Sequence, residues 1–239
     1  MFQKMMTGAL IAGIGAGLFA ALLHFVFIQD LILLGERYEM GEIVHFGTPD
    51  AVGPAAVGHA HADTGHAADH AAEEPSTLTR NALTVGFTIV LYAAYGMLLS
   101  AGFAVATQMG RKVDATRGFI WGVAGFAAFQ LSPAMGLAPE LPGSVGADIT
   151  DRQIWWWATV IATGLAAVLL AYGRSVLLAA VAIVIALAPH VVGAPHLDEY
   201  FSYAPAELGA EYAARVLGVG LAAWSILGWL AGQQWSRLT

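Results

Sequence analysis

The chain contains no cysteine. Disulfides, thiolate metal ligands and redox-active thiol pairs are excluded together. Charge is scarce too, with 11% Asp, Glu, Lys and Arg against 58% hydrophobic residues and a mean hydropathy of +0.66. That balance lies far from an average soluble domain. The seven methionines are scattered, so the clustered thioethers that a soft ion such as Cu(I) selects are missing. No G-x-x-x-x-G-K-[ST] phosphate loop occurs, which excludes nucleotide hydrolysis by that route. A net charge of −7 offers nothing to nucleic acid.

What is present is apolar sequence in long runs. Six stretches, 6–28, 82–106, 118–137, 154–172, 175–192 and 213–231, approach the roughly 20 residues an α-helix needs to cross about 30 Å of hydrocarbon. The first is longer than a signal-peptide core and no A-x-A-like cleavage site follows it, so it reads as a retained helix. The sequence predicts an all-α, polytopic membrane helix bundle, one integral membrane domain over residues 1–239 with about six transmembrane helices. The count falls to five if the Tyr172-Gly173-Arg174-Ser175 break belongs to a re-entrant hairpin.

Lys and Arg resist translocation, whereas Asp and Glu matter little. Lys4, Arg111, Lys112, Arg117, Arg174 and Arg237 fall at the chain ends and in the short second and fourth loops; Arg37, Arg80, Arg152 and Arg215 fall on the other side. Both termini are therefore expected in the cytoplasm. All eight histidines and every acid except Asp114 then collect on or near the outer face. Without thiolates, the available ligands are imidazole, carboxylate and backbone oxygen, which suit borderline divalent ions such as Co, Ni and Zn.

Eight candidate metal-ligating positions need separate weighing from the rest of that face. Within the outward loop 29–81, the Ala/Gly/Asp/His-rich segment 53–75 has no apolar periodicity and cannot bury a core. His59-Ala-His61 and His66-x-x-x-His70 have ligand-like spacing, since positions four apart share a helix face. The segment reads either as a cation-capturing funnel or as an inert acidic spacer. His24 lies within the first span, where a polar side chain is costly and faces the bundle interior by default; the alternative is that it snorkels to the headgroups. His190 and His196 flank a Gly193-Ala194-Pro195 turn at the end of the fifth span, and Pro189 is expected to unwind that helix.

In the third span, Pro133 removes a backbone hydrogen bond at membrane depth, and Glu140 sits between Pro139 and Pro142. Broken helices make cation sites in transporters because unwound carbonyls carry negative partial charge. The other reading is a helix that stops at Leu137, with Glu140 solvated. Asp151 is typed as a helix N-cap, and Trp155-Trp156-Trp157 as an interfacial aromatic belt. Gly13-x-x-x-Gly17, Gly118-x-x-x-Gly122 and Gly228-x-x-x-Gly232 fit close helix approach. The candidate metal ligands are thus His24, Glu140, His190, His196, His59, His61, His66 and His70. No catalytic residue and no tightly bound cofactor is expected, and an intramembrane di-metal oxidase would need more His boxes than the His66/His70 pair supplies.

The run 121–143, with its Pro-x-x-Gly-Leu-x-Pro-Glu-Leu-Pro-Gly core, the Arg152-Gln153-x-Trp-Trp step, Pro189-His190 with Gly193-Ala194-Pro195, and the stretch 31–39 resemble the CbtA family. That resemblance covers nearly the whole chain. It implies a subunit of a cobalt(II) uptake system in the cytoplasmic membrane, linked to cobalamin synthesis and paired with a small, histidine-bearing CbtB subunit. A metal-binding or assembly subunit without a pore of its own is the alternative, because beyond Thr88, Tyr92, Tyr95, Thr159 and Thr163 the inner half offers little polar lining.

Overall fold

The computed structural model describes residues 2–45, 76–199 and 201–238. The helices, in order, are α1 (Phe2–Phe27), α2 (Gln29–Glu39), α3 (Thr77–Gln108), α4 (Ala115–Phe126), α5 (Ser132–Ala134), α6 (Ile149–Tyr172), α7 (Val176–Val192) and α8 (Ala206–Ser236). A π-helical turn, Ala127–Leu131, joins α4 to α5, so residues 115–134 form one unbroken helical run. Among the described residues, four helices are long and apolar enough to cross a membrane: α1, from Met5, together with α3, α6 and α8. The α4–α5 run and the shorter, apolar α7 complete six membrane-directed segments.

Helix starts are set by short polar side chains that accept an otherwise orphaned amide. Ser76 accepts from Thr79 N, Asp114 from Arg117 N, and Ser175 from Leu178 N. For α6 the cap is Asp148, which accepts from the amides of Thr150 and Asp151. The expected cap at Asp151 is thereby corrected: the helix begins three residues earlier, and Asp151 lies in its first turn. At the far end of α7, Gly193 takes φ +88°, a conformation that L side chains rarely adopt.

Hydrocarbon gives helices no hydrophobic reason to associate, so close backbone packing must hold them together. Here glycine provides it. A Cβ on Gly17 would lie 2.7 Å from Ile89 Cα, and one on Gly96 2.6 Å from the Ala9 carbonyl, which seats α1 against antiparallel α3. The Gly118/Gly122 pair of α4 meets the Gly228/Gly232 pair of α8 directly, with a Cβ on Gly228 falling 2.7 Å from Gly122 Cα. Trp224, Phe103 and Leu227 fill the centre and are completely buried, with Phe129 stacked and Tyr95 tilted against the Trp224 ring.

The α6–α7 hairpin stands beside this group. Trp155, early in α6, reaches Pro189, late in α7, so α7 returns to the level where α6 began. Consecutive membrane-directed segments are antiparallel and create two ends. The basic end holds the start of α1, the α3–α4 turn, the α6–α7 turn and the finish of α8.

The opposite, acidic end carries a feature that the expected loop 29–81 did not contain. Helix α2 lies across that end, with Leu31 buried against Leu141 and Ala204, and α3 starts at Thr77, before the apolar run begins. Polar residues do not prevent helix formation; they only hide it from a hydropathy scan. The loops 135–148 and 193–205 are tied together by an isolated bridge between Ser144 and Ser202.

Candidate polar site between α5, α6 and α7

The π-turn places Ser132 where α4–α5 faces the α6–α7 hairpin. Thr163 Oγ1 of α6 donates to Ser132 Oγ at 2.8 Å, and Ser132 Oγ lies 3.1 Å from His190 Nε2 of α7. With Thr163 donating to Ser132, the serine hydroxyl keeps both a proton and a lone pair to share with the imidazole. The serine oxygen can equally accept from Nε2–H, so the donor of this contact follows the imidazole tautomer.

Next to this chain, Trp155 Nε1 donates to the Pro189 carbonyl at 3.0 Å, and its indole meets the His190 ring edge-on with centroids 5.7 Å apart. Trp155 is therefore buried in the bundle, while Trp157 is exposed as a belt residue should be. Trp156 packs against Phe129. The aromatic triplet divides its duties because successive helical residues point about 100° apart.

Neither proline unwinds its span as expected. Pro133 sits at the start of α5 directly after the π-turn, which widens the helix and accommodates the missing amide without ending it. Pro189 lies inside α7, which continues to Val192. Their consequence is local: a proline amide cannot donate, so the usual partner carbonyl one turn earlier is left over.

The other expected ligands are dispersed. Among the described residues, no three His, Asp or Glu side chains converge into a metal-holding group. His24 is half-buried on α1, its ring edge-on to neighbouring Phe25. Glu140 is ion-paired with Arg152 at 2.7 Å at the acidic end. His196 is exposed, with Nδ1 3.2 Å from the Leu197 carbonyl oxygen. His59, His61, His66 and His70 lie outside the described residues. The polar lining of the inner half is largely spent on its own helices: Thr88 bonds back to the Thr84 carbonyl and the fully buried Thr159 to that of Trp155.

Ser132 and Thr163 are the partners that sequence reading did not join to His190. One signal was available: Trp155, Thr159 and Thr163 recur at intervals of four on α6, and so share a face. A second polar spot lies across the π-turn, where the buried Gln130 amide oxygen presses on Gly220 of α8, so a larger residue there would make that side chain swing aside.

Electrostatics separates the two ends more sharply than residue counts do. At the acidic end every arginine has a carboxylate partner: Arg37 with Glu42, Arg80 with Glu36, Arg152 with Glu140 and Arg215 with Glu211. Arg215 also caps the last carbonyl of α1, at Phe27, with a 3.0 Å hydrogen bond. At the basic end, Arg111, Lys112, Arg117, Arg174 and Arg237 have no carboxylate partner among the described residues. The Asp148 carboxyl is held below the usual carboxylate range, chiefly by the amides of Thr150 and Asp151 that it caps.

A family model described as probable cobalt transporter subunit (CbtA) matches residues 2–236. Neither a curated protein nor a solved structure matches the chain.

Proposed function

The chain belongs to the CbtA family, and from that premise we propose that it is the membrane subunit of a cobalt(II) uptake system in the cytoplasmic membrane, serving cobalamin synthesis, with both termini inside. The observation that carries this reading is the His190 imidazole, beside Ser132 within a largely apolar bundle. An imidazole lone pair suits a borderline divalent ion. One imidazole and two hydroxyls make a weak site, which conduction requires because an ion must leave as well as enter.

The acidic end, with segment 53–75, His59, His61, His66 and His70, concentrates hydrated Co2+. Glu140 and His196 strip water at the mouth. The Glu140–Arg152 pair has to open first, and a partly exposed pair of this kind holds by under about 1 kcal/mol. His24 and His190 then pass the ion inward. A divalent cation entering a cell gains about 4.6 kcal/mol per 100 mV of membrane potential, twice the single-charge value. A small histidine-bearing second subunit of the CbtB kind adds ligands that this chain does not gather.

That last point favours a second reading, a metal-binding or assembly subunit that conducts nothing itself, since no three-ligand group forms among the described residues. Radioactive cobalt uptake in cells lacking other importers separates the two. The intact chain, with and without the small partner, is compared with His190→Ala and with a deletion of residues 53–75. Uptake abolished by His190→Ala, and weakened only at low cobalt by the deletion, is expected. Uptake absent throughout, with normal insertion and the partner present, overturns transport and leaves the binding subunit.

A further inference from the structure

At the basic end, away from His190, the finish of α3, the start of α4 and the finish of α6 enclose a cleft of about 420 Å³ lined by Arg111, Lys112, Arg117, Ile120, Trp121 and Tyr172. We infer that this cleft holds the phosphate-bearing headgroup of an anionic membrane lipid.

Three cations converge here, and none has a carboxylate partner among the described residues. The one nearby acid, Asp114, spends an oxygen on the amide of Arg117 at 2.8 Å as the cap of α4. Two of the cations are already positioned. Arg117 Nη1 donates to the Lys112 carbonyl at 2.6 Å, and the Arg111 guanidinium lies over the Tyr172 ring, 5.4 Å from its centroid. Stacking fixes the planar fork of an arginine, which matches the paired oxygens of a phosphate.

The remaining wall argues for a lipid over free phosphate. Val113 and Trp121 are apolar, and Ile120 is 60% exposed on the flank of α4. Helices α3 and α6 do not pack against each other, so the cleft opens sideways toward hydrocarbon. Headgroup and acyl chains are both accommodated, one by the cations and the other by this flank. Basic pockets between membrane helices commonly take such headgroups.

The test is native mass spectrometry of the intact chain released from neutral detergent, with phosphatidylglycerol, phosphatidylcholine or inorganic phosphate added. Phosphatidylglycerol should be retained and phosphatidylcholine lost. The double variant Arg111→Gln/Lys112→Gln should weaken phosphatidylglycerol binding roughly thirtyfold, the change expected of two basic contacts, and Lys112→Gln alone roughly fivefold. The double variant Arg174→Gln/Arg237→Gln removes equal charge from the same end outside the cleft, and should leave binding intact. Equal losses in both doubles would overturn the site in favour of diffuse surface charge. Retention of phosphatidylcholine, or displacement of the lipid by millimolar phosphate, would overturn the choice of ligand. If the first double does not fold, unchanged binding by Lys112→Gln overturns the proposal by itself.

Discussion

Trp155 donates its indole proton to the carbonyl of Pro189, one residue before the imidazole that faces Ser132. A single buried hydrogen bond thus ties the α6–α7 hairpin at the level of the polar site. Trp155→Phe keeps an aromatic ring there and removes only the donor. The Pro189 carbonyl still accepts from Gly193 N at 3.0 Å, so the expected loss is about 1 kcal/mol. Thermal unfolding in detergent micelles measures it, and a loss several times larger would show that the bond organises more than this hairpin.

The glycine contacts predict opposite signs at two positions of the same helix. Gly228→Ala drives a methyl group into the α4 backbone, which has no side chain to swing aside. A loss of about 3 kcal/mol is expected, at the high end for overpacking. Gly218→Ala meets nothing within 4 Å and should gain about 0.5 to 1 kcal/mol from helix propensity. Denaturant titration of both variants checks the contrast, and equal effects would refute the crossing.

Arg152 and Glu140 retain 24% and 39% of their side-chain exposure. Solvent screening then limits what their pair contributes, so Glu140→Gln should cost under about 1 kcal/mol, with a difference that fades as salt is raised. Stability measured at low and high ionic strength decides this. A salt-independent loss would mean that the pair holds the outer loops as a buried bridge does.

Asp148 supplies the pH dependence. Its folded carboxyl titrates below the ordinary value because two amides bond to the charged form. The contribution is fully present above the unfolded carboxylate pKa and is lost as pH falls through the depressed folded value. Asp148→Asn should therefore be least stable relative to the unaltered chain at neutral pH, with the difference shrinking, and the acid slope shallower, as pH falls through that window.

How far the fold was legible depends on the physical signal each part carried. The membrane-directed segments were readable because crossing hydrocarbon demands a long apolar run, and the glycine pairs because close approach demands small residues at intervals of four. Helix α2 escaped, since Gln29, Asp30, Glu36, Arg37 and Glu39 keep it out of a hydropathy scan while only Leu31 and Gly35 are buried. The π-turn escaped for another reason. Pro133 announces that something must yield, but whether a helix unwinds or widens depends on what α6 and α8 press against it. Asp148 and Asp151 both qualify as caps by residue type, and only the path of the preceding loop chooses between them. For the site, His190 could be singled out by its place in an apolar span, whereas its link to Ser132, 58 positions away, exists only through folding.

The α4–α8 crossing also has a mechanical side. From Gly118 and Gly232 to Gly122 and Gly228 the two backbones touch at successive turns, and beyond them the Trp224 ring and the Gln130 side chain fill the gap. A joint built this way has no play in it. The pair behaves as a beam, and relative movement of the helices falls to the α6–α7 hairpin leaning on its π-turn.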